Sequence, residues 1–309
     1  MLQVQDLHKE FGSLKAVDGI SFTAPTGRIF GLLGPNGAGK TTTISMVCGL
    51  LRPTKGHVLV DGVDISQKPA EVKRSLGVVP QEIALYEDLT ARENLNFWGG
   101  IYELGREALA QRVDELLELV GLSERAREPV RQFSGGMKRR LNLAMGMIHQ
   151  PKLLLLDEPT VGIDPQAREN VLGVVHGVVE RGTTVLYTTH YLEEAERICD
   201  ELAIMDQGKI LAQGSIGELK AQLGEGTLLT VQGEFLQDDL HQIVAGIKGL
   251  RTLTADDGRA MLAVGRQGWG VGRALEALYG SGLELHDVSI KEPNLQDLFL
   301  KLTGRELRD

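Results

Sequence analysis

The sequence predicts an α/β protein in two parts, a larger unit built on a mostly parallel sheet and a small C-terminal α+β domain. Three observations carry that prediction. A glycine-rich loop joins a strand pattern to a helix pattern near residue 34, strand-like and helix-like runs alternate along the first two thirds, and the pattern changes after Gly214. At 309 residues the chain is long enough for one large domain and an appendage.

From Met1 to about Gly62, short β-rich runs (Leu2 to Leu7, Gly19 to Ala24, Arg28 to Leu33, His57 to Val60) alternate with turn residues, and one helix-like run follows Lys40. These read as an α/β core with an antiparallel edge. Between Thr90 and about Arg127 strand signals vanish, and Leu109, Val113, Leu116, Leu117 and Val120 recur at helical spacing. An inserted helical subdomain over about 84–150 is expected. Strands and helices alternate again through Lys152 to Leu156, Thr183 to Thr188 and Glu201 to Met205, the order of βαβ units on a parallel sheet. Beyond Gly214 come a short helix (Ile216 to Leu223) and a break at Gly224-Glu225-Gly226. Then follow strand, helix, two strands joined at Asp256-Asp257-Gly258, helix and strand. That is the order of a split βαβ fold, so the expected domains are 1–214 and 215–309.

A net charge of -9 and a pI near 5.4 give no electrostatic reason to expect nucleic acid or an anionic membrane surface as a partner. The two cysteines, Cys48 and Cys199, lack metal-ligand spacing and make no disulfide framework, which fits a reducing cytoplasm. No apolar run approaches the roughly 20 residues of a membrane-spanning helix. The mixed charges of Met1 to Gly12 read as the start of the fold in an unexported protein.

Gly34-Pro35-Asn36-Gly37-Ala38-Gly39-Lys40-Thr41 matches the P-loop pattern, with a strand leading in and a helix leading out. Glycines let backbone N–H groups close around phosphates, and the helix N-terminus adds unpaired donors and a positive dipole end. Lys40 is expected to reach the β- and γ-phosphates, Thr41 to ligate Mg²⁺, and Thr42 to donate to a phosphate oxygen. The metal also needs a carboxylate. Leu153-Leu154-Leu155-Leu156-Asp157-Glu158 supplies it, because four apolar residues form a buried strand that presents two acids at its C-terminal end. Adjacent strand residues point in different directions, so Asp157 is assigned to Mg²⁺ and Glu158 to polarising the attacking water. The bland alternative is that the acids cap the next turn.

With both sites in place, Phe133-Ser134-Gly135-Gly136-Met137 makes the pattern specific: the chain resembles the nucleotide-binding subunits of ABC transporters over roughly its first 215 residues. The resemblance implies a RecA-like P-loop core with an antiparallel β subdomain and an inserted helical subdomain. It also implies that Ser134, Gly135 and Gly136 bind the γ-phosphate of ATP held by another subunit's P-loop. Phe133 and Met137 replace the more usual leucine and glutamine, a variant that resembles drug and ABC-2-type exporters. Carried over in the same way, Phe11 stacks on adenine, Gln81 senses Mg²⁺ and γ-phosphate, Asp164 lies in the loop crossing the dimer interface, and His190 is the switch histidine. A plain core phenylalanine is the alternative for Phe11, and the basic run Lys138-Arg139-Arg140 reads as a solvated helix face.

One P-loop and one signature per chain imply a second ATP-binding subunit, identical or different. The resemblance further implies an integral membrane permease as partner, with the ATPase cytoplasmic and peripheral on the inner face of the cell membrane. Phe97, Trp98 and Tyr102 are expected to build the subdomain's own small core rather than a permease-docking surface. The segment Glu292 to Phe299 resembles the tail of ABC-2-type exporters and reads equally as a terminal helix packing its leucines. The rival functions are a soluble ABC-type ATPase acting on nucleic acid or ribosomes, and a regulatory module that holds ATP without turning it over.

Overall fold

The computed structural model describes residues 1–223, 226–265 and 270–304, so the predicted break at Gly224 and Glu225 lies outside the described residues. Two compact units emerge, Met1–Gln213 and Gly214–Arg308.

In the first unit, β1 (Leu2–Phe11) and β2 (Leu14–Ala24) form an antiparallel hairpin that buries Leu2, Val4, Leu7, Val17, Ile20 and Phe22. The chain then enters the core as β3 (Ile29–Leu33), buried at every position as a central strand covered on both faces must be. Helix α1 (Lys40–Val47) follows, with Leu50 exposed beyond its end. β4 (Lys55–Val60) and β5 (Val63–Asp64) complete a four-stranded sheet in the order β2-β1-β4-β5.

After α2 (Pro69–Arg74) and β6 (Leu76–Val79), the chain leaves the sheet for α3 (Ala91–Ile101), α4 (Arg106–Leu119) and α5 (Gly135–Gly146). On α4, Val113, Leu116 and Leu117 are buried, as their spacing predicts. It returns through β7 (Leu153–Asp157), α6 (Pro165–Glu180), β8 (Thr184–Thr189), α7 (Leu192–Ile198), β9 (Glu201–Asp206) and β10 (Lys209–Ser215). The resulting six-stranded sheet has the order β10-β9-β3-β8-β7-β6, and its strands from β9 to β6 pair in parallel. β6 and β10 were not foreseen: Leu76-Gly77-Val78-Val79 is too short for a periodicity, and β10 is nowhere fully buried.

The second unit runs α8 (Ile216–Ala221), β11 (Gly226–Glu234), α9 (Gln237–Ala245), β12 (Leu250–Asp256), β13 (Arg259–Gly265), α10 (Val271–Gly280), β14 (Glu284–Lys291) and α11 (Leu295–Thr303). Its sheet has the order β12-β13-β11-β14 with antiparallel pairing throughout, the split βαβ arrangement read from the sequence. Leu229, Val231, Leu262 and Val264 on one face pack with Leu240 and Val244 of α9 and Ala274 and Leu278 of α10. Helix α11 begins at a capping box between Asn294 and Asp297 and buries Leu295, Leu298 and Phe299. The tail motif is therefore a packed terminal helix.

Gly77 shows how tightly the core sheet meets the helical layer. A Cβ there would lie 2.1 Å from the Gly146 carbonyl oxygen and 2.8 Å from Pro151 Cγ. Gly77→Ala is expected to destabilise the first unit by about 1–3 kcal/mol, read as a lower urea midpoint with an unchanged slope; an unshifted midpoint would show that the layers can part without cost.

Candidate active site

The loop after β3 is shaped by two glycines that cannot be replaced. A Cβ on Gly34 would fall 2.2 Å from the Met205 carbonyl oxygen, and Gly39, at φ +104°, stands where a Cβ would lie 2.5 Å from the Ala16 carbonyl oxygen. Gly39 is also the N-cap of α1 and offers no capping side chain, so the first N–H groups of that helix stay available to an anion. A cleft of about 710 Å³ opens over them, lined among others by Phe11, Asn36, Gly37, Ala38, Gly39, Lys40, Thr41, Thr42, Gln81 and Glu158. Gly34 and Pro35 close the loop from behind, their carbonyls accepting from Lys40 Nζ at 2.7 and 3.1 Å. Phe11 is 49% exposed where it lines the cleft, with Lys9 Nζ 5.0 Å from its ring centroid, so the plain core alternative is excluded.

Strand register brings the acids to this loop. Asp157 pairs with Thr188 across β7 and β8, and Leu33 with Thr189 across β3 and β8, so the residues after each strand emerge level at one edge. Asp157 Oδ1 accepts from Thr188 Oγ1 at 2.7 Å and from Thr41 Oγ1 at 3.3 Å. Glu158 turns the other way with φ +45°, a conformation that costs a non-glycine residue energy and tends to be kept at functional sites. Its carboxylate is buried between Lys40 Nζ, 3.0 Å from Oε1, and His190 Nδ1, 3.1 Å from Oε2. The acids therefore do more than cap a turn. Thr188, which sequence reasoning passed over, holds both: its hydroxyl donates to Asp157 and accepts from the Glu158 amide at 3.0 Å.

Ser134, Gly135 and Gly136 stand elsewhere. Ser134 caps α5 by accepting from the Met137 amide, Gly135 has open space around it, and Gly136 is pressed against Ala167 of α6. Asp164 caps α6 by accepting from the Ala167 amide at 2.9 Å. Among the described residues, none of these four lines the cleft.

The basic run on α5 overturns the expectation of a solvated face. Arg139 is only 4% exposed; it donates to the carbonyl oxygens of Gln81 at 2.7 Å, Pro80 at 3.3 Å and Val161 at 3.3 Å. Burial pulls its pKa down from the usual guanidinium range. Arg140 donates to the Val120 carbonyl and Lys138 pairs with Glu87. Arg139 thus ties α5 to the Gln81 segment and to the turn after Glu158. Sequence gave no sign of this, since backbone carbonyls carry no signature.

The aromatic segment also departs from expectation. Tyr86 and Phe97 meet edge to face at 4.9 Å and are 48% and 43% exposed, with Ile83 and Ile101 exposed as well. Trp98 is half-buried against Phe97, and Tyr102 stacks on His149 at 3.7 Å. Buried Asn94 holds the Tyr86 backbone, accepting from its amide at 2.9 Å and donating to its carbonyl at 3.0 Å. Trp98 and Tyr102 thus pack within the subdomain as expected, whereas Phe97 joins Ile83, Tyr86 and Ile101 in an exposed patch.

The family profile described as ABC transporter matches residues 17–161. The chain is 42% identical over 311 residues to the linearmycin resistance ATP-binding protein LnrL of Bacillus subtilis (strain 168), covering 100% of both chains. It is 40% identical over 314 residues to the Nod factor export ATP-binding protein I of Ralstonia nicotianae, covering 100% of this chain and 95% of the relative. With the daunorubicin/doxorubicin resistance ATP-binding protein DrrA of Streptomyces peucetius it shares 37% identity over 312 residues, covering 100% and 94%. Among solved structures, an ATP-binding subunit of an ABC transporter superposes with TM-score 0.66 at 31% identity, covering 72% of this chain and 93% of the other. An ATP-binding cassette in its ADP conformation gives 0.65 at 27% identity, covering 71% and 92%. A complete phosphate loop with two acids and a histidine gathered over it, in a chain aligned end to end with such relatives, belongs to the ABC transporter family, as an ATP-binding subunit that hydrolyses ATP.

Proposed function

We propose that the chain is the motor of an exporter, closing as a dimer around two ATP molecules and working through a separate membrane permease. The carrying observation is the division of the motifs: Lys40, Asp157, Glu158 and His190 meet in or beside one cleft, whereas Ser134, Gly135 and Gly136 lie apart from it and present a capped helix N-terminus. Such a chain needs a second copy, or a close relative, to complete each site.

In this reading Phe11 stacks on adenine, while Gly34, Pro35, Asn36, Gly37, Ala38 and Gly39 wrap the phosphates and Thr42 donates to one of their oxygens. Lys40 exchanges the Glu158 carboxylate for the β- and γ-phosphates, which frees Glu158 to take a proton from the attacking water. The oxygen of that water bonds to the γ-phosphorus as the bond to the bridging oxygen of ADP breaks. His190, bonded to Glu158 through Nδ1, holds the base in place and reaches the γ-phosphate through its other ring nitrogen, Nε2. The Thr41 hydroxyl, the Asp157 carboxylate and the Gln81 amide oxygen are hard donors that suit Mg²⁺. Bound there, Mg²⁺ supplies neutralisation of charge on the phosphate oxygens. Ser134, Gly135 and Gly136 contact the γ-phosphate held by the other subunit, and Asp164 lies at the interface between them. ATP favours the closed dimer by its differential affinity, and loss of γ-phosphate contacts reopens it.

The exposed patch of Ile83, Tyr86, Phe97 and Ile101, close in sequence to Gln81, supports docking of a permease there. Export is favoured by the relatives, whose names speak of antibiotic resistance and Nod factor export. No helix among the described residues is long and apolar enough to cross a membrane, which agrees with a peripheral subunit held on the inner face by its partner. The net charge of -9 weighs against a nucleic-acid or ribosome target.

Glu158→Gln is expected to retain ATP binding, lose about 10²–10³-fold in steady-state hydrolysis, and accumulate as an ATP-bound dimer in light scattering; normal turnover by this variant would refute the assigned base. Phe97→Asp is expected to keep ATP binding while the tagged chain ceases to co-purify with a multi-span membrane protein from detergent-solubilised membranes. Recovery of ribosomes with the unaltered chain would instead favour the soluble ATPase.

A further inference from the structure

Glu194 is a carboxylate with no place in the mechanism above, yet it is only 3% exposed. Burying an acid away from water is costly unless its oxygens are used, so the contacts it makes there are informative. Oε2 accepts the Thr189 hydroxyl proton at 2.6 Å, and the same hydroxyl oxygen accepts from the Tyr191 amide at 3.0 Å. A single side chain thus fixes the residues on both sides of His190. The Thr189 carbonyl in turn accepts from the Gly34 amide at 3.3 Å, at the start of the phosphate loop.

Behind this link, Glu194 also neighbours the buried hydroxyl of Tyr187, which lies beside Thr160 as well. Burial and the neighbouring Glu194 carboxylate push the Tyr187 hydroxyl pKa well up, so it stays protonated and keeps a proton to share. Thr160 belongs to the turn that begins at Glu158, where the Val161 amide donates to the Glu158 carbonyl.

We infer that Glu194 is the positioning residue of the hydrolytic site: through Thr189 it locks the strand end that aims His190 at Glu158. The inference rests on the reading of His190 given above. In helix terms Glu194 occupies the third position of α7, where an acid ordinarily bonds the N-cap amide directly. Here the Thr189 hydroxyl is inserted between them, so helix capping and histidine placement share one link. A purely structural cap would affect stability and leave the chemical step alone.

The test is ATP hydrolysis by the full-length chain, with kcat and KM separated. Glu194→Met and Thr189→Val are each expected to lower kcat by about tenfold or more with KM within about twofold. Glu194→Gln and Thr189→Ser, which keep an acceptor and a hydroxyl, are expected to stay within about threefold of the unaltered rate. The double variant Glu194→Met/Thr189→Val should be little worse than either single one, because both break one link. If Glu194→Met does not fold, the Thr189 pair decides alone. Undiminished kcat in Thr189→Val and in folded Glu194→Met, beside a slow His190→Ala, would overturn the inference and spare the histidine. Undiminished turnover in His190→Ala would overturn the reading of the histidine and the inference with it.

Discussion

The parallel register of β3, β8 and β7 is the constraint on which the rest of this protein depends. Leu33 lies level with Thr189, and Thr188 with Asp157. Side chains alternate along a strand, so a slip of one residue would send Asp157 and Thr188 to opposite faces of the sheet. All three strands are buried at every position, so a slipped strand would have to repack close-fitted side chains on both of its faces. Core packing thereby sets the distances at the cleft.

Within that frame the two acids part company through backbone conformation. Asp157 ends a regular strand, whereas Glu158 takes the left-handed region at φ +45°. The strain is offset locally by the Thr188 hydroxyl on its amide and by Lys40 and His190 on its carboxylate. These same groups surround the place where phosphate chemistry is proposed, so the interactions that hold the turn are those that nucleotide binding would rearrange.

How much of this was legible in the sequence follows from what each residue contacts. The phosphate loop, the paired acids and His190 declared themselves because their residue types follow from their chemistry, and buried strands led into them. The C-terminal domain was readable from element order, since its helices and strands each carry enough apolar residues to show a period. Arg139, Thr188 and Glu194 were not readable. Their partners are backbone carbonyls, amides or single hydroxyls far along the chain, and Arg139 reaches Gln81 across 58 residues. The basic run beside Arg139 looks like any solvated helix face until its burial is known. Phe97 was misplaced for a related reason: an aromatic residue fits a core and a docking patch equally, and only its exposure separates the two.

The buried guanidinium of Arg139 has one more implication. It is solvated by carbonyl oxygens from two segments at once, one at Gln81 and one just beyond Glu158, and its hydrogen-bonding nitrogens have no water to fall back on. Pulling either segment away would strand a charge in a medium of low polarity. Helix α5, the Gln81 segment and the turn after Glu158 are therefore held together by one buried side chain, and separating any of them carries the cost of an unpaired charge.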